Sequence, residues 1–480
     1  MLVSKGNQCP KASLMRARCW AIDANRSGVR LVVVALKKAK ALLDELTAQT
    51  IRQRRSIKQE SPMLINRLAF ILLLSIAMQL LGRSSGCADE VVKIAYLAPL
   101  SGSNALAFEE GLKIFRAAAE AANARESGRS GKRIEIVPFD NKGTVQDTLI
   151  VFRQAVDQDI HYVAATISSV ANALSEAVLK HNTRNPQQAV LYLNYDARDP
   201  KLTEEACHFW HFRFEPHADM QVRVLTAAAV SQPEVKKIFF LNPDYAWGHA
   251  VQKSAREELR EKRPDVEIVG DDLVPLARVK DFAPYVTKIK ASGADSVLTG
   301  NWGADLTLFV KAAHEQGLRA RLFTTHAWVL GTPAAIGSSG ENLVRTMTAW
   351  HINAGPSEWQ SKMVRYAKQY KTVSHMDFLP IWQTVDMFAR ALALTGSSDP
   401  VKIAYALEGM EYEAPGGRSW LRKEDHQLMA PIYIATFTKA GSPAVEYDEE
   451  GTGFGWRTDQ IVEANDTVPP VRCRMERPDK

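Results

Sequence analysis

The sequence predicts an α/β fold in two lobes, each a mostly parallel sheet flanked by helices, and three observations carry that prediction. Strand-like runs are almost continuously apolar, as parallel strands buried on both faces are. They alternate strictly with amphipathic segments, the pattern of right-handed strand–helix–strand units. Two such sets follow one another, after which the chain returns to helices.

In the first set VVKIAYLAPL (91–100) precedes a helix near 105–125, and RIEIVPFDN precedes one near 144–157. HYVAATIS then leads to a helix near 169–181, and AVLYLNY follows. The second set opens with a helix near 218–231, then KKIFFLNPDYAWG, a helix to about Lys262, and VEIVGDDLVPL. Asp281 is the expected N-cap of the next helix, whose Phe282, Tyr285, Val286 and Ile289 make one apolar stripe. SVLTGN, a helix over 306–316 and RLFTTHA complete the set. LVRTMTAWHI leads back to helices near 358–370, 381–394 and 401–407, and APIYIATF precedes a tail punctuated by Gly and Pro. The expected lobes are 89–212 with 348–430 and 213–347 with 431–460, leaving 461–480 as a tail.

Upstream, Met63 to Ala88 has the three-part layout of an export signal: a short basic start, fourteen mostly apolar residues (Leu68–Leu81) and a small-residue exit. That apolar run is shorter than the roughly 20 residues a bilayer span needs. Residues 1–62 read as an upstream extension, since Met63 begins the signal cleanly; a basic amphipathic helix is the other reading of that stretch. Gly86-Cys87-Ala88 suits cleavage before Asp89, giving a soluble periplasmic chain, while a lipoprotein through Cys87 is the less favoured outcome because SSGC lacks the usual Leu.

The formal charge of +6 belongs to the leader. Residues 1–62 carry 13 Lys/Arg against 4 Asp/Glu, and from Asp89 onward 45 basic side chains face 50 acidic ones. A mildly acidic chain lacks the electrostatic footprint of a nucleic-acid partner. Its length exceeds one ordinary core and suits two lobes in a monomer. Of five cysteines only Cys207 and Cys473 lie in the exported part, where an oxidising compartment invites one disulfide tying the tail to the body.

From Asp89 onward no His-Glu-x-x-His, Gly-x-Ser-x-Gly, P-loop or Cys-x-x-Cys motif occurs, so no catalytic residue, metal site or cofactor is expected. His208 and His211 in HFWH lack a third ligand nearby and read as satisfied or surface histidines. The suggestive positions lie at the C-terminal strand edges, where open parallel sheets bind ligands and helix N-termini favour anions. These are Pro99 to Asn104, Ile167-Ser168-Ser169 and Asn194 to Arg198 in the first set. The second set contributes Asn242 to Gly248 with Tyr245 and Trp247, Gly300-Asn301-Trp302-Gly303, and Thr325-His326-Ala327-Trp328. One lobe supplies hydroxyls and an arginine, the other aromatic rings; the plain alternative is helix caps and lobe core.

From Val91 to Lys439 the sequence resembles the branched-chain amino-acid (leucine/isoleucine/valine-binding) type of periplasmic solute-binding protein. The resemblance rests on IAYLAPLSG, Gly111 in the helix after it, FDNKGT, ISSVANALSEAV and ALEGMEYEAPGG, and most specifically on FLNPDYAWGHAV and DFAPYVTKIKASGADSVLTGNW. It implies the type I periplasmic-binding fold, with three hinge crossovers between lobes that close on a small solute. The partners it implies are the permease and ATPase subunits of an ABC importer. The serine holding the ligand carboxylate matches Ser168, with Ser169 beside it, and the aromatic positions of the second lobe match Trp247 and Trp302. Two positions depart from the pattern. Arg198 replaces a threonine, and Ala327, between His326 and Trp328, replaces the glutamate that pairs with the ligand ammonium. Loss of that acid and gain of a planar donor fork point to a carboxylate or aromatic solute rather than leucine. The expected ligand set is Ser168, Ser169, Asp196, Arg198, Tyr245, Trp247, Asn301, Trp302 and His326. A sensory ligand-binding module and an exported enzyme on the same scaffold are the rival readings.

Overall fold

The structure, a computed structural model, describes residues 90–102, 105–372 and 377–479. The export signal, the extension before it, Cys87, Ser103 and Asn104 lie outside the described residues.

The first sheet is built from β1 (Glu90–Ala98), β2 (Lys132–Asp140), β3 (Tyr162–Ala165), β4 (Leu191–Asn194) and β5 (His211–Arg213), all parallel, in the order β2-β1-β3-β4-β5. Its crossover helices are α1 (Ala105–Ser130), α2 (Val145–Asp157) and α3 (Ser168–Arg184). Strand pleating divides β1 between two cores. Ile94 and Tyr96 join one core, while Ala95 and Leu97 face Phe152, Leu174 and Val178 in the other. α2 starts where Thr144 can cap it: the Thr144 hydroxyl accepts from the Asp147 N–H at 3.0 Å and donates to its carboxylate at 2.7 Å.

The second sheet takes α4 (Ala218–Val230), β6 (Lys237–Pro243), α5 (Ala246–Lys262), β7 (Glu267–Val274), α6 (Ala283–Ala291), β8 (Ser296–Trp302), α7 (Gly303–Glu315), β9 (Arg321–His326), α8 (Thr332–Ile336) and β10 (Val344–Thr348). After β10 the chain passes to the first lobe's core through α9 (Glu358–Tyr370), α10 (Phe378–Thr395) and α11 (Pro400–Leu407). A small antiparallel sheet follows, β11 (Glu411–Ala414), β12 (Gly417–Leu421) and β13 (Leu428–Met429). β14 (Ile432–Lys439) then pairs antiparallel with β10, and β15 (Phe454–Val462) antiparallel with β14, closing the second sheet in the order β15-β14-β10-β9-β8-β6-β7. Phe239 and Leu241 of β6 face one of its cores; Ile238 and Phe240 face the other.

Three details differ from the sequence reading. α6 begins one residue later than an Asp281 cap implies: Phe282 is the N-cap, and Asp281 Oδ1 accepts from Ala283 N at 2.8 Å. Pro284 in the first turn suits this start, because its missing N–H would be unpaired there in any case. β11 to β13 and β15 add strands where only a family motif and a loop-like tail were read. Lastly, the chain passes between lobes after β5, β10 and β13, and then once more after β15. That last passage is held on the first lobe by the Cys207–Cys473 disulfide, by Arg472 on Glu204 at 3.2 Å, and by Arg422 on the Pro469 carbonyl at 2.6 Å.

Candidate functional site

The C-terminal edges of both sheets face one cleft. Its lining includes Phe108, Thr166, Ile167, Ser168, Asp196, Arg198, Tyr245, Trp247, Trp302, His326, Trp328 and Asp377. It holds about 550 Å³ of free space, including the solvent at its mouth.

On the first lobe the cleft meets the start of α3. Ser168 is its first residue, and the N–H groups of a first turn have no intrahelical acceptor. The preceding Ile167 has φ 67°, in the left-handed region that a β-branched residue rarely enters. Such a conformation costs of order 1–3 kcal/mol and persists where surrounding packing imposes it. Here it turns the chain from β3 into α3 at the cleft wall. The neighbouring loop is built by Asn194, whose Oδ1 accepts from Ala197 N at 2.7 Å while its Nδ2 donates to Ala197 O at 2.9 Å. That local turn carries Asp196 and Arg198 inward.

On the second lobe the rings are fixed by their own N–H groups. Trp247 Nε1 donates to Gly300 O at 2.9 Å, Trp328 Nε1 to Met347 O at 3.0 Å, and Trp302 Nε1 to the Tyr245 hydroxyl at 3.0 Å. Gly248 lets α5 begin this close to β6: a Cβ there would lie 1.8 Å from Pro243 O.

Arg198 lies at the centre, 2 % exposed. Its NH2 contacts Asp196 Oδ1 at 2.6 Å and Glu215 Oε1 at 3.1 Å, and its NH1 meets His326 Nε2 at 2.5 Å. Its guanidinium carbon is 5.3 Å from the Trp328 ring centroid and 5.9 Å from that of Trp247. The NH1 and NH2 groups of the donor fork read as available to a ligand carboxylate are thus engaged within the protein, while its Nε has no hydrogen-bond partner among the described residues. Burial pushes Glu215 up to about 8 despite Arg198, raises Asp377 well above the usual carboxylate range, and holds His326 well below its ordinary value, hence neutral.

Seven of the nine expected ligand residues line the cleft: Ser168, Asp196, Arg198, Tyr245, Trp247, Trp302 and His326. Ser169 and Asn301 do not. Asn301 is buried, its Nδ2 donating to Leu241 O at 2.9 Å and to Thr299 Oγ1 at 3.0 Å, so it stitches β8 to β6. Sequence reasoning missed Asp377 and Glu215. Glu215 sits on the crossing after β5 and Asp377 just before α10 within the first lobe, where no strand-end signal marks either. His208 and His211 are satisfied within the first lobe, His208 Nε2 lying 2.7 Å from Ser175 Oγ and His211 Nε2 3.2 Å from Asn194 Nδ2. Among the described residues no group of three His, Cys, Asp or Glu is placed to hold a metal ion.

A family model described as periplasmic binding protein matches residues 91–442. A Brucella abortus protein named Leu/Ile/Val-binding protein homolog 4 is 29% identical over 421 residues, covering 84% of this chain and 96% of that one. Among solved structures, the leucine-, isoleucine-, valine-, threonine- and alanine-binding protein of Brucella ovis, in a closed conformation, superposes with a TM-score of 0.74 at 27% identity. That match covers 81% of this chain and 100% of the other. A Rhodopseudomonas palustris solute-binding protein of an ABC transporter, solved with 3,4-dihydroxybenzoic acid, shares the fold with a TM-score of 0.66 at 19% identity, over 78% of this chain and 98% of its own.

Proposed function

The chain belongs to the periplasmic binding protein family, and on that footing we propose that it is the solute-binding component of an ABC importer. It captures a small amino acid or a related organic or aromatic carboxylate between its lobes. It works in the periplasm after export on the Met63–Ala88 signal, as a monomer, and presents its closed, loaded form to a membrane permease driven by an ATPase.

The observation that carries this reading is the pairing across one cleft of the Ser168 helix start with the fixed rings of Trp247, Trp302 and Tyr245. The helix start offers N–H groups and partial positive charge to a carboxylate. The rings, rigid because their N–H groups are bonded, cover the apolar part of the solute when the lobes swing together about the crossings. Binding at a micromolar dissociation constant needs about −8 kcal/mol in all. A thermal-shift screen of amino acids, aromatic acids and short carboxylates tests it, because a ligand at about 100 times its dissociation constant adds about 2.7 kcal/mol. Ser168→Ala should weaken the solute found by about tenfold, and Trp302→Ala by about 10- to 100-fold. Wild-type affinity in both variants would place the solute elsewhere.

A further inference from the structure

Three carboxyl groups converge on one guanidinium at the inner end of the cleft. Asp196 and Asp377 line it, and Glu215 lies just behind Arg198 in a smaller cavity that Asp377 also borders. Arg198 is in contact with Asp196 and Glu215, which leaves Asp377 as the third acid. Asp377 is 9 % exposed, and its Oδ1 has no hydrogen-bond partner among the described residues. Among the described residues, the charged and titratable groups that face it are the Asp196 and Glu215 carboxyls, the Arg198 guanidinium and the Tyr96 and Tyr195 phenols, of which only Arg198 is cationic. The neighbouring His326 is held neutral by burial and by Arg198. The position where the resemblance expects an ammonium-pairing glutamate is Ala327, fully buried. A buried carboxylate without a partner is costly unless it takes up a proton or meets a cation. Among the described residues three acids therefore share one guanidinium, and Asp377 holds its proton until a cation meets it.

We infer that Asp377 recognises a cationic nitrogen on the bound solute, and that Arg198 serves as the internal counter-ion of Asp196 and Glu215. This inference rests on the proposed capture of a solute in the cleft and names the chemistry that the solute carries. An ammonium or amidinium group seated against Asp377 supplies the missing counter-charge, while the Ser168 helix start receives a carboxylate. A simple aromatic acid satisfies the second site and leaves the first unpaired.

The test is calorimetric binding to the wild-type protein of three matched pairs that differ only in the nitrogen. They are L-leucine against 4-methylpentanoate, L-phenylalanine against 3-phenylpropanoate, and 4-(aminomethyl)benzoate against 4-methylbenzoate. In the pair that binds best, the amine should bind about 10- to 100-fold more tightly than its partner, the value of a charge-assisted hydrogen bond to a buried carboxylate. Asp377→Asn should remove that preference by weakening the amine and leaving the other member unchanged, and Asp377→Glu should restore part of it. A deaminated acid that binds wild type as tightly as its amine overturns the inference without needing any variant. A preference that survives Asp377→Asn overturns the role of Asp377. Trp302→Ala separates the two levels of the argument. If it binds like wild type, or if none of the six probes binds, the cleft reading itself falls. If Trp302→Ala abolishes binding while the amine confers no preference, only the cation assignment falls.

Discussion

Arg198→Met removes the cation between the two lobes and nearly preserves side-chain volume. With an effective dielectric of about 20, each Arg198–carboxylate contact is worth about 5–6 kcal/mol before desolvation, at separations of 2.6 Å to Asp196 and 3.1 Å to Glu215. Most of that attraction offsets the cost of burying the groups, so the measured loss follows from the uncompensated charge left behind, roughly 3–5 kcal/mol. The loss depends on pH with a definite sign. Glu215 is already raised from 4.5 to about 8, burial being the main cause and Arg198 the main opposing influence. Without Arg198 it rises further. A carboxyl whose folded-state pKa exceeds its unfolded one contributes stability that is fully present below the unfolded value and is lost as pH rises through the folded one. The deficit of Arg198→Met is therefore smaller near pH 5, where Glu215 is protonated in the fold of either protein, and grows as pH rises above about 8, where Glu215 ionises only beside Arg198. Urea unfolding followed by tryptophan fluorescence at the two pH values reads it directly. Adding Glu215→Gln should recover part of the loss at high pH. An equal deficit at both pH values, or one below about 0.5 kcal/mol throughout, would refute the reasoning.

Gly248→Ala should destabilise by roughly 1–3 kcal/mol and weaken solute binding, because the new Cβ collides with the Pro243 carbonyl and shifts the turn that carries Trp247; an unchanged urea midpoint would contradict this. Opening the Cys207–Cys473 bridge, which closes a separation of 266 residues, should cost about 2–5 kcal/mol by releasing the unfolded chain. A Cys207→Ser/Cys473→Ser protein that melts at the wild-type temperature would count against that. His208 is buried neutral, lowered to about 4 chiefly by desolvation, so its contribution is present above pH 6.5 and is lost as pH falls from there towards 4. His208→Gln should lose roughly 2–4 kcal/mol less than wild type across that window; parallel pH profiles would contradict it.

Much of the fold was legible because its signals are local. α9 spans the predicted 358–370, since Ser357 caps it through Gln360 N at 3.1 Å and Trp359, Met363 and Tyr366 repeat at helical spacing. The strands of the parallel sheets read as apolar runs because they are covered on both faces. β5 has three residues and β12 is half exposed, so neither offers enough apolar pattern to be seen. The site divides in the same way. Ser168, Trp247 and Trp302 stand at strand ends that the chain order itself marks, and the Asn194 turn places Arg198 nearby. What Arg198 touches was not legible. Glu215 is 17 residues away from it in sequence, and Asp377, at the start of α10, is 179 residues away. Only tertiary packing brings these acids around the one guanidinium. The sequence therefore suggested a free donor fork where the fold has a neutralised one and an acid left over.

The central claim, that a small solute is held between the Ser168 helix start and the Trp302 side of the cleft, is tested most directly by a crystal structure of the protein with the solute that thermal-shift screening selects. Electron density for that solute is expected between the two lobes, with its carboxylate on the first turn of α3 and Trp247 and Trp302 over its apolar part. Density for the solute outside the cleft, with the cleft holding only water, would contradict it.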